Sequence, residues 1–239
     1  MQLIVEKDYE AMSQSTMTLL LSKMIQPKKV NMAITAGNTP KRTYELLVEQ
    51  VKNKPHFSNV TYFNFDEIPV FDEQGYGLTM HHLNRLYFKP ANISSDQIMQ
   101  MTPYNYLQFD DMIDKAGGLD LILMGIGADG HFCGNLPNTT EWQDKTVRIN
   151  ATEKHKELLL NEVGGDITKV PDYWVTMGPK SVMHARHLVL FATGKSKANI
   201  IKQALEGPIT LDVPASILQL HPNLTVVLDE DAASELTKK

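Results

Sequence analysis

The sequence predicts an α/β protein: a doubly wound, mostly parallel sheet with helices on both faces. Three observations carry this. Short, nearly continuous apolar runs (Val30–Thr35, Val60–Phe65, Leu119–Met124 and His187–Thr193) read as strands buried on both faces. Longer stretches with apolar residues near helical spacing separate them. Glycine-bearing loops join several of the runs to the helices that follow. No repeat, low-complexity segment or composition break divides residues 1–239, so one domain is expected.

In chain order, Leu3–Val5 is a short strand. Asp8 suits the cap of a helix over Tyr9–Met24, where Met12, Met17, Leu20 and Met24 read as core filling. Pro27 closes it. The strand Val30–Thr35 runs into Ala36-Gly37-Asn38-Thr39-Pro40 and a helix from Lys41 to Lys52, with Thr39 expected as its cap. Strand Val60–Phe65 ends on Asp66 and Glu67. Gly75–Phe88 is expected as a helix after a glycine-rich entry; His81 and His82 on it are adjacent and do not share a face, which argues against a metal pair. Ile98–Met101 is a short strand, and Tyr104–Lys115 a helix closed by Gly117-Gly118. After Pro137 the pattern loosens into an extended Thr146–Ile149, a helical Glu153–Glu162 and a short helix at Lys180–Ala185. His184 and His187 lack a nearby third metal ligand in sequence. Strand His187–Thr193 passes through Gly194-Lys195-Ser196-Lys197 into a helix reaching Leu205. Pro214–Leu220 leads to a final strand, Leu224–Leu228, and the acidic residues from Asp229 are expected to start a short terminal helix.

Composition narrows the class. The chain has 239 residues, 42% hydrophobic and 21% charged, as in an ordinary globular enzyme. A formal net charge of −5 argues against a general nucleic-acid binder. Cys133 is the one cysteine, so no intrachain disulfide forms. Charges at Glu6, Lys7 and Asp8 interrupt any secretory leader, and no apolar run has the length of a membrane span, so a cytoplasmic protein with no membrane partner is expected.

The chemistry gathers at strand ends. Leu119 to Pro137 reads LDLILMGIGADGHFCGNLP: an apolar run, a glycine turn, then Asp129 and His131. A carboxylate beside an imidazole suits proton transfer near neutral pH. Gly37, Asn38 and Thr39 lie between a strand and a helix N-terminus, the generic anion cradle. Asp66 and Glu67 follow the third apolar run. Lys197 lies in the first turn of a later helix, where a lysine opposes the helix dipole and suggests a nearby anion. In a parallel sheet these four ends share one edge. The arrangement points to acid–base chemistry on a phosphorylated small molecule, with either a proton shuttled between adjacent carbons or water activated toward an ester or lactone. The Cys133 thiol reads as apolar filler more readily than as a nucleophile.

Four motifs, in order along nearly the whole chain, together resemble the glucosamine/galactosamine-6-phosphate isomerase (deaminase) and 6-phosphogluconolactonase family. They are Thr35-Ala36-Gly37-Asn38-Thr39-Pro40, Asn64-Phe65-Asp66-Glu67, Gly125-Ile126-Gly127-Ala128-Asp129-Gly130-His131 and Leu218-Gln219-Leu220-His221-Pro222. The resemblance implies a Rossmann-like sheet, a phosphorylated sugar as substrate and no metal or organic cofactor. Matched by position, Asp66 falls on the deaminase base that moves a proton between C1 and C2. His131 falls on the ring-opening histidine, with Asp129 its carboxylate neighbour. Gly37, Asn38 and Thr39 fall on the phosphate loop and Lys197 on the phosphate-binding lysine; Glu67, next to Asp66 at the strand end, is expected as a further substrate-binding residue.

Two departures stand out. The deaminases follow the histidine with Asn-Glu-Pro, whose glutamate completes a triad; here the residues are Asn135-Leu136-Pro137, with Glu141 as a stand-in from the next segment. The deaminases' phosphate-binding arginine has no counterpart assigned in the stretch Lys154 to Asn161. Leu136 tilts toward the lactonases, while Asn64-Phe65-Asp66-Glu67 and the Leu-Gln-Leu-His-Pro ending tilt toward the deaminases. The reading is therefore an amino-sugar-6-phosphate isomerase/deaminase, with a sugar-phosphate lactonase as the alternative. A non-catalytic sugar-phosphate sensor is a third reading, disfavoured by Asp66 and His131. Oligomeric state is left open.

Overall fold

The computed structural model describes residues 1–237, and at Asn161 and Glu162 the backbone without the side chains. Residues 238–239 of the expected domain lie outside the described residues. In chain order the elements are β1 (Gln2–Glu6), α1 (Tyr9–Met24), β2 (Val30–Ile34), α2 (Lys41–Val51), β3 (Val60–Phe63), β4 (Asp66–Glu67), α3 (Leu78–Leu83), α4 (Lys89–Ala91), β5 (Ile98–Met99), α5 (Tyr106–Ala116) and β6 (Leu121–Met124). There follow β7 (Val147–Asn150), α6 (Glu153–Glu162), β8 (Tyr173–Thr176), α7 (Pro179–Met183), β9 (Leu188–Ala192), α8 (Ala198–Glu206) and β10 (Leu224–Asp229). Short 3-10 turns join several of them, and a π-helical stretch, Asn84–Phe88, links α3 to α4.

Seven strands form one parallel sheet in the order β1-β10-β9-β6-β2-β3-β5. Every residue of β2, β6, β9 and β10 is buried. The period of two sorts them onto two cores. Leu121 and Leu123 face one core with Met32, Ile34, Val189 and Phe191, and with Met12, Leu20 and Met24 of α1 and Tyr44 and Leu47 of α2. Ile122 and Met124 face the other with Ala33, Leu188 and Leu190, and with Phe109 of α5 and Ile201 of α8. Continuous apolar runs are what a sheet covered on both faces requires.

The topology also fixes where a ligand would go. From β2 the chain moves outward through β3 to β5, then returns to β6 on the other side of β2 and continues through β9 to β10. Connections leave β2 and β6 in opposite directions, and open α/β sheets bind their ligands at the carboxyl ends of the strands beside such a switch.

A second, antiparallel sheet, β4-β8-β7, stands apart. It carries its own small core, in which Ile149, Leu159 and Trp174 pack with Ile68, Leu136, Val147, Ala151 and Val170. Its middle strand, β8, is not among the strands expected from the sequence.

Other expectations are corrected. Thr39 does not cap α2: Pro40 occupies the cap position and no side chain bonds the first turn. The helix expected from Gly75 begins at Leu78, because Asp72 first gathers the backbone N–H groups of Gln74 and Tyr76 into a turn. No terminal helix forms among the described residues after β10. The Asp229 carboxylate is buried and accepts bonds from the backbone of Gly194 and Ala232 and from the Thr193 hydroxyl, tying the end of β10 to the loop after β9.

Candidate active site

The loop after β2 turns its carbonyls inward and leaves backbone donors open. Two tyrosine hydroxyls consume its carbonyls: Tyr9 donates to the Thr39 carbonyl at 2.9 Å and Tyr44 to that of Thr35 at 2.6 Å. Among the described residues no protein acceptor takes the backbone N–H of Gly37, Asn38 or Thr39. Those donors stand at the uncapped N-terminus of an 11-residue helix with no acid in its first turn. Free amides and the positive helix end favour an anion there.

On the neighbouring strand β6, the turn Gly125–His131 is closed by bonds from Gly127 N–H to the His131 carbonyl at 2.9 Å and from Gly130 N–H to the Gly127 carbonyl at 3.1 Å. Asp129 Oδ1 lies 2.6 Å from His131 Nδ1 and also accepts the His131 backbone N–H at 3.2 Å. A Cβ on residue 127 would sit 2.1 Å from His131 Nδ1 and 2.6 Å from Asp129 Oδ1, so only glycine allows the pair to close over the turn. Both side chains stay partly open, 38% and 35% exposed for His131 and Asp129. Partial burial pushes the Asp129 carboxyl up, but the hydrogen bond and charge of His131 outweigh it and hold the group down at about 2. With Nδ1–H committed to a carboxylate, Nε2 is the basic edge of His131.

Lys197, from the short turn before α8, donates from Nζ to the Ile126 carbonyl at 2.7 Å. Burial lowers its ammonium pKa and the Asp129 carboxylate opposes that shift. The lysine is thereby anchored on the loop that carries Asp129 and His131.

At the end of β3, buried Asn64 fixes the chain by accepting the Met101 N–H at 2.7 Å and donating to the carbonyls of Asp66 and Met101. Asp66 and Glu67 then form β4, and adjacent strand residues face opposite ways. Asp66 is half-buried and accepts a bond from the Thr79 hydroxyl at 2.9 Å. Its charge acts on the Cys133 thiol in the loop after β6, which places the two loops side by side. Glu67 points inward and is 0% exposed. Its carboxylate accepts the backbone N–H groups of Ile68, Thr79 and Met80 at 3.0, 2.8 and 3.2 Å. Glu67, expected on the substrate side, has its contacts with the protein's own backbone. Burial, with Asp66 adding to it, pushes this acid up to about 8 against those three bonds.

The four strand ends named from sequence thus lie on four consecutive strands, β9-β6-β2-β3, at one edge of the sheet. Other expectations do not converge there. Glu141 is exposed in a surface turn whose N–H is held by Asp144, and it makes no bond to His131 among the described residues. Leu136 packs into the small core beside Trp174 instead of facing the histidine. Burial drives the Cys133 thiol well above its ordinary pKa, which suits filler rather than nucleophile. His184 bonds the Lys180 carbonyl and His187 bonds Thr225, and no group of three or more metal-ligating side chains occurs among the described residues. The side chain of Asn161, at the end of the stretch searched for a phosphate-binding arginine, lies outside the described residues.

Three contributors escaped the sequence reading. Thr79 bonds Asp66 across 13 positions of chain. The Thr176 hydroxyl of β8 accepts the Gly134 N–H at 2.9 Å and ties the small sheet to the histidine loop. His155 of α6 stacks edge-on against Trp174 with ring centres 5.3 Å apart, and the Asp129 carboxylate acts on its charge. The first turn of α6 is thus brought near the Asp129–His131 pair.

The fold is that of an open-sheet α/β protein, with a carboxylate–imidazole pair and a loop of open backbone N–H groups on neighbouring strand ends at its topological switch. The chain belongs to the glucosamine-6-phosphate isomerase/6-phosphogluconolactonase family, whose sequence profile matches residues 6–227. It is 33% identical to a glucosamine-6-phosphate deaminase of Shouchella clausii, covering 100% of this chain and 99% of that protein. It is 32% identical to glucosamine-6-phosphate deaminase 2 of Bacillus subtilis, covering 99% and 98%. Among solved structures, a monomeric glucosamine-6-phosphate deaminase superposes with a TM-score of 0.83 at 26% identity, covering 99% of this chain and 100% of that one. The 6-phosphogluconolactonase of Trypanosoma cruzi shares the fold, with a TM-score of 0.74 at 19% identity over 99% and 97% of the two chains.

Proposed function

We propose that this protein is an amino-sugar-6-phosphate isomerase/deaminase that converts glucosamine 6-phosphate and water to fructose 6-phosphate and ammonia. The observation that carries the reading is end-to-end similarity to deaminases, at 31–33% identity; the strands that lead to Asp66 and to Asp129 and His131 flank β2 in the sheet, which supports it. In this reading the amides of Gly37, Asn38 and Thr39 and the ammonium of Lys197 hold the phosphate. His131 Nε2 takes the anomeric hydroxyl proton and returns it to the ring oxygen, opening the pyranose, while Asp129 steadies the imidazolium. Asp66 then removes the proton at C2 of the open aldose and delivers it to C1, while O1 gains a proton and the amine nitrogen loses one, leaving a ketimine at C2. Water adds to that carbon and ammonia departs. Glu67 has a structural role.

The test is ammonia and fructose 6-phosphate production from glucosamine 6-phosphate by the purified protein, with His131→Ala as control. Stoichiometric release that the variant loses supports the reading; no release from the wild type rejects it. Leu136, apolar where the deaminases carry a glutamate, favours a second reading as a sugar-phosphate lactonase, in which His131 activates water. Hydrolysis of 6-phosphogluconolactone without ammonia release would select it.

A further inference from the structure

The buried acid beside Asp66 has no part in the proposed chemistry, yet its surroundings are unusually specific. Glu67 reaches from β4 to the first turn of α3 and accepts two consecutive backbone N–H groups there, Thr79 and Met80, as well as that of Ile68. The Leu78 N–H donates back to the Ile68 carbonyl at 3.0 Å. Gly77 precedes the helix because a Cβ at that position would lie 2.5 Å from the Glu67 carboxyl carbon. Strand and helix are therefore locked in one register. The register puts the next side chain to use: Thr79, 6% exposed, donates its hydroxyl to Asp66 Oδ1 at 2.9 Å.

We propose that Thr79 is a positioning residue for Asp66, and that Glu67 and Gly77 form the clamp that sets Thr79 in place. This deepens the deaminase reading and rests on Asp66 as the group that moves the proton. A base that takes a proton from one carbon and returns it to the next must hold a fixed orientation through both steps. A hydroxyl donor on one carboxylate oxygen fixes rotation about the Cβ–Cγ bond, and by donating it also favours the ionised form. Among the described residues, titratable groups on which the Asp66 charge acts include Glu67 on its own strand and the Cys133 thiol from the loop after β6. Thr79 is the neutral donor from α3.

The experiment compares wild type, Thr79→Val, which keeps the shape and loses the hydroxyl, and Thr79→Ser, which keeps the hydroxyl. With glucosamine 6-phosphate, Thr79→Val is expected to lower kcat about 10-fold with KM nearly unchanged, the signature of a misaligned reacting group. Deuterium at C2 of the substrate should slow Thr79→Val more than wild type, because proton transfer becomes limiting. Thr79→Ser should restore most of the rate. Wild-type kcat and isotope effect in Thr79→Val would overturn the proposal. A second readout is independent of turnover: the titration midpoint of the Asp66 carboxyl, followed by carbon-13 NMR. It should rise in Thr79→Val and return in Thr79→Ser, and an unmoved midpoint also overturns the proposal. If wild type releases no ammonia while the midpoint moves as expected, the deaminase reading fails and the positioning role stands.

Discussion

In the loop after β6 a carboxylate and an imidazole are held together by a short hydrogen bond within one loop, whereas the three-stranded sheet, which carries Asp66 on β4, closes on an apolar core of its own. In the loop after β6, Asp129 and His131 are two residues apart and bonded at 2.6 Å, over a glycine that leaves them room. In the small sheet, Leu136, Trp174 and Leu159 form a core, and this core presents His155 near Asp129. Chemistry at the sheet edge should thus be brittle to changes of a few atoms, while the small sheet should respond to loss of volume.

The largest effect is expected at the edge. His131→Ala should lower ammonia release from glucosamine 6-phosphate by about a thousandfold, the middle of the range for a general acid–base, while thermal unfolding stays near wild type. Steady-state rates and a melting curve read both. Next comes Gly127→Ala, whose methyl would overlap the His131 ring. It should cost about 100-fold in kcat with modest change in KM, since it displaces the pair without touching the phosphate loop.

Leu136→Ala tests the other side. It removes buried volume from the small core and should cost about 2 kcal/mol in denaturant unfolding, with kcat held within a few-fold of wild type. A large loss of kcat with no loss of stability would erase the contrast between the regions.

The smallest effect is a pH slope. The folded-state pKa of Glu67, about 8, lies above the ordinary value of 4.5. The folded protein therefore holds a proton that the unfolded chain has released, and the stabilisation present below about pH 4.5 is lost progressively toward pH 8. The Tm of wild type should fall across that window more steeply than that of Glu67→Gln, which cannot ionise. Parallel slopes would show that the three backbone bonds keep the carboxylate charged throughout.

The same contrast explains what the sequence revealed. The edge loops were legible because each is local: an apolar run, a glycine turn and a polar pair within a dozen residues. The parallel sheet was legible because strands buried on both faces leave continuous apolar runs. The small sheet was not, because β4 is two residues long and pairs Asp66 with Thr176, far along the chain. Thr79 was hidden for the same reason. Glu67 carried a usable signal: neighbouring strand residues face opposite ways, so Asp66 at the crevice implied Glu67 inside. Thr39 resembled a cap because local preference says nothing of the Tyr9 hydroxyl that fixes its carbonyl. Asp229 resembled a helix start because its partners, Thr193 and Gly194, belong to another strand end.

The central claim is that Asp66 carries a proton from C2 to C1 of a sugar phosphate held between the β2 and β6 loops. Running glucosamine 6-phosphate with the purified protein in deuterium oxide and reading the product by NMR tests it most directly. A measurable share of the fructose 6-phosphate should carry the substrate's own hydrogen at C1 in place of solvent deuterium, and Asp66→Asn should form none. Ketose phosphate production that survives in Asp66→Asn, or a wild type that forms no ketose phosphate at all, would contradict the account.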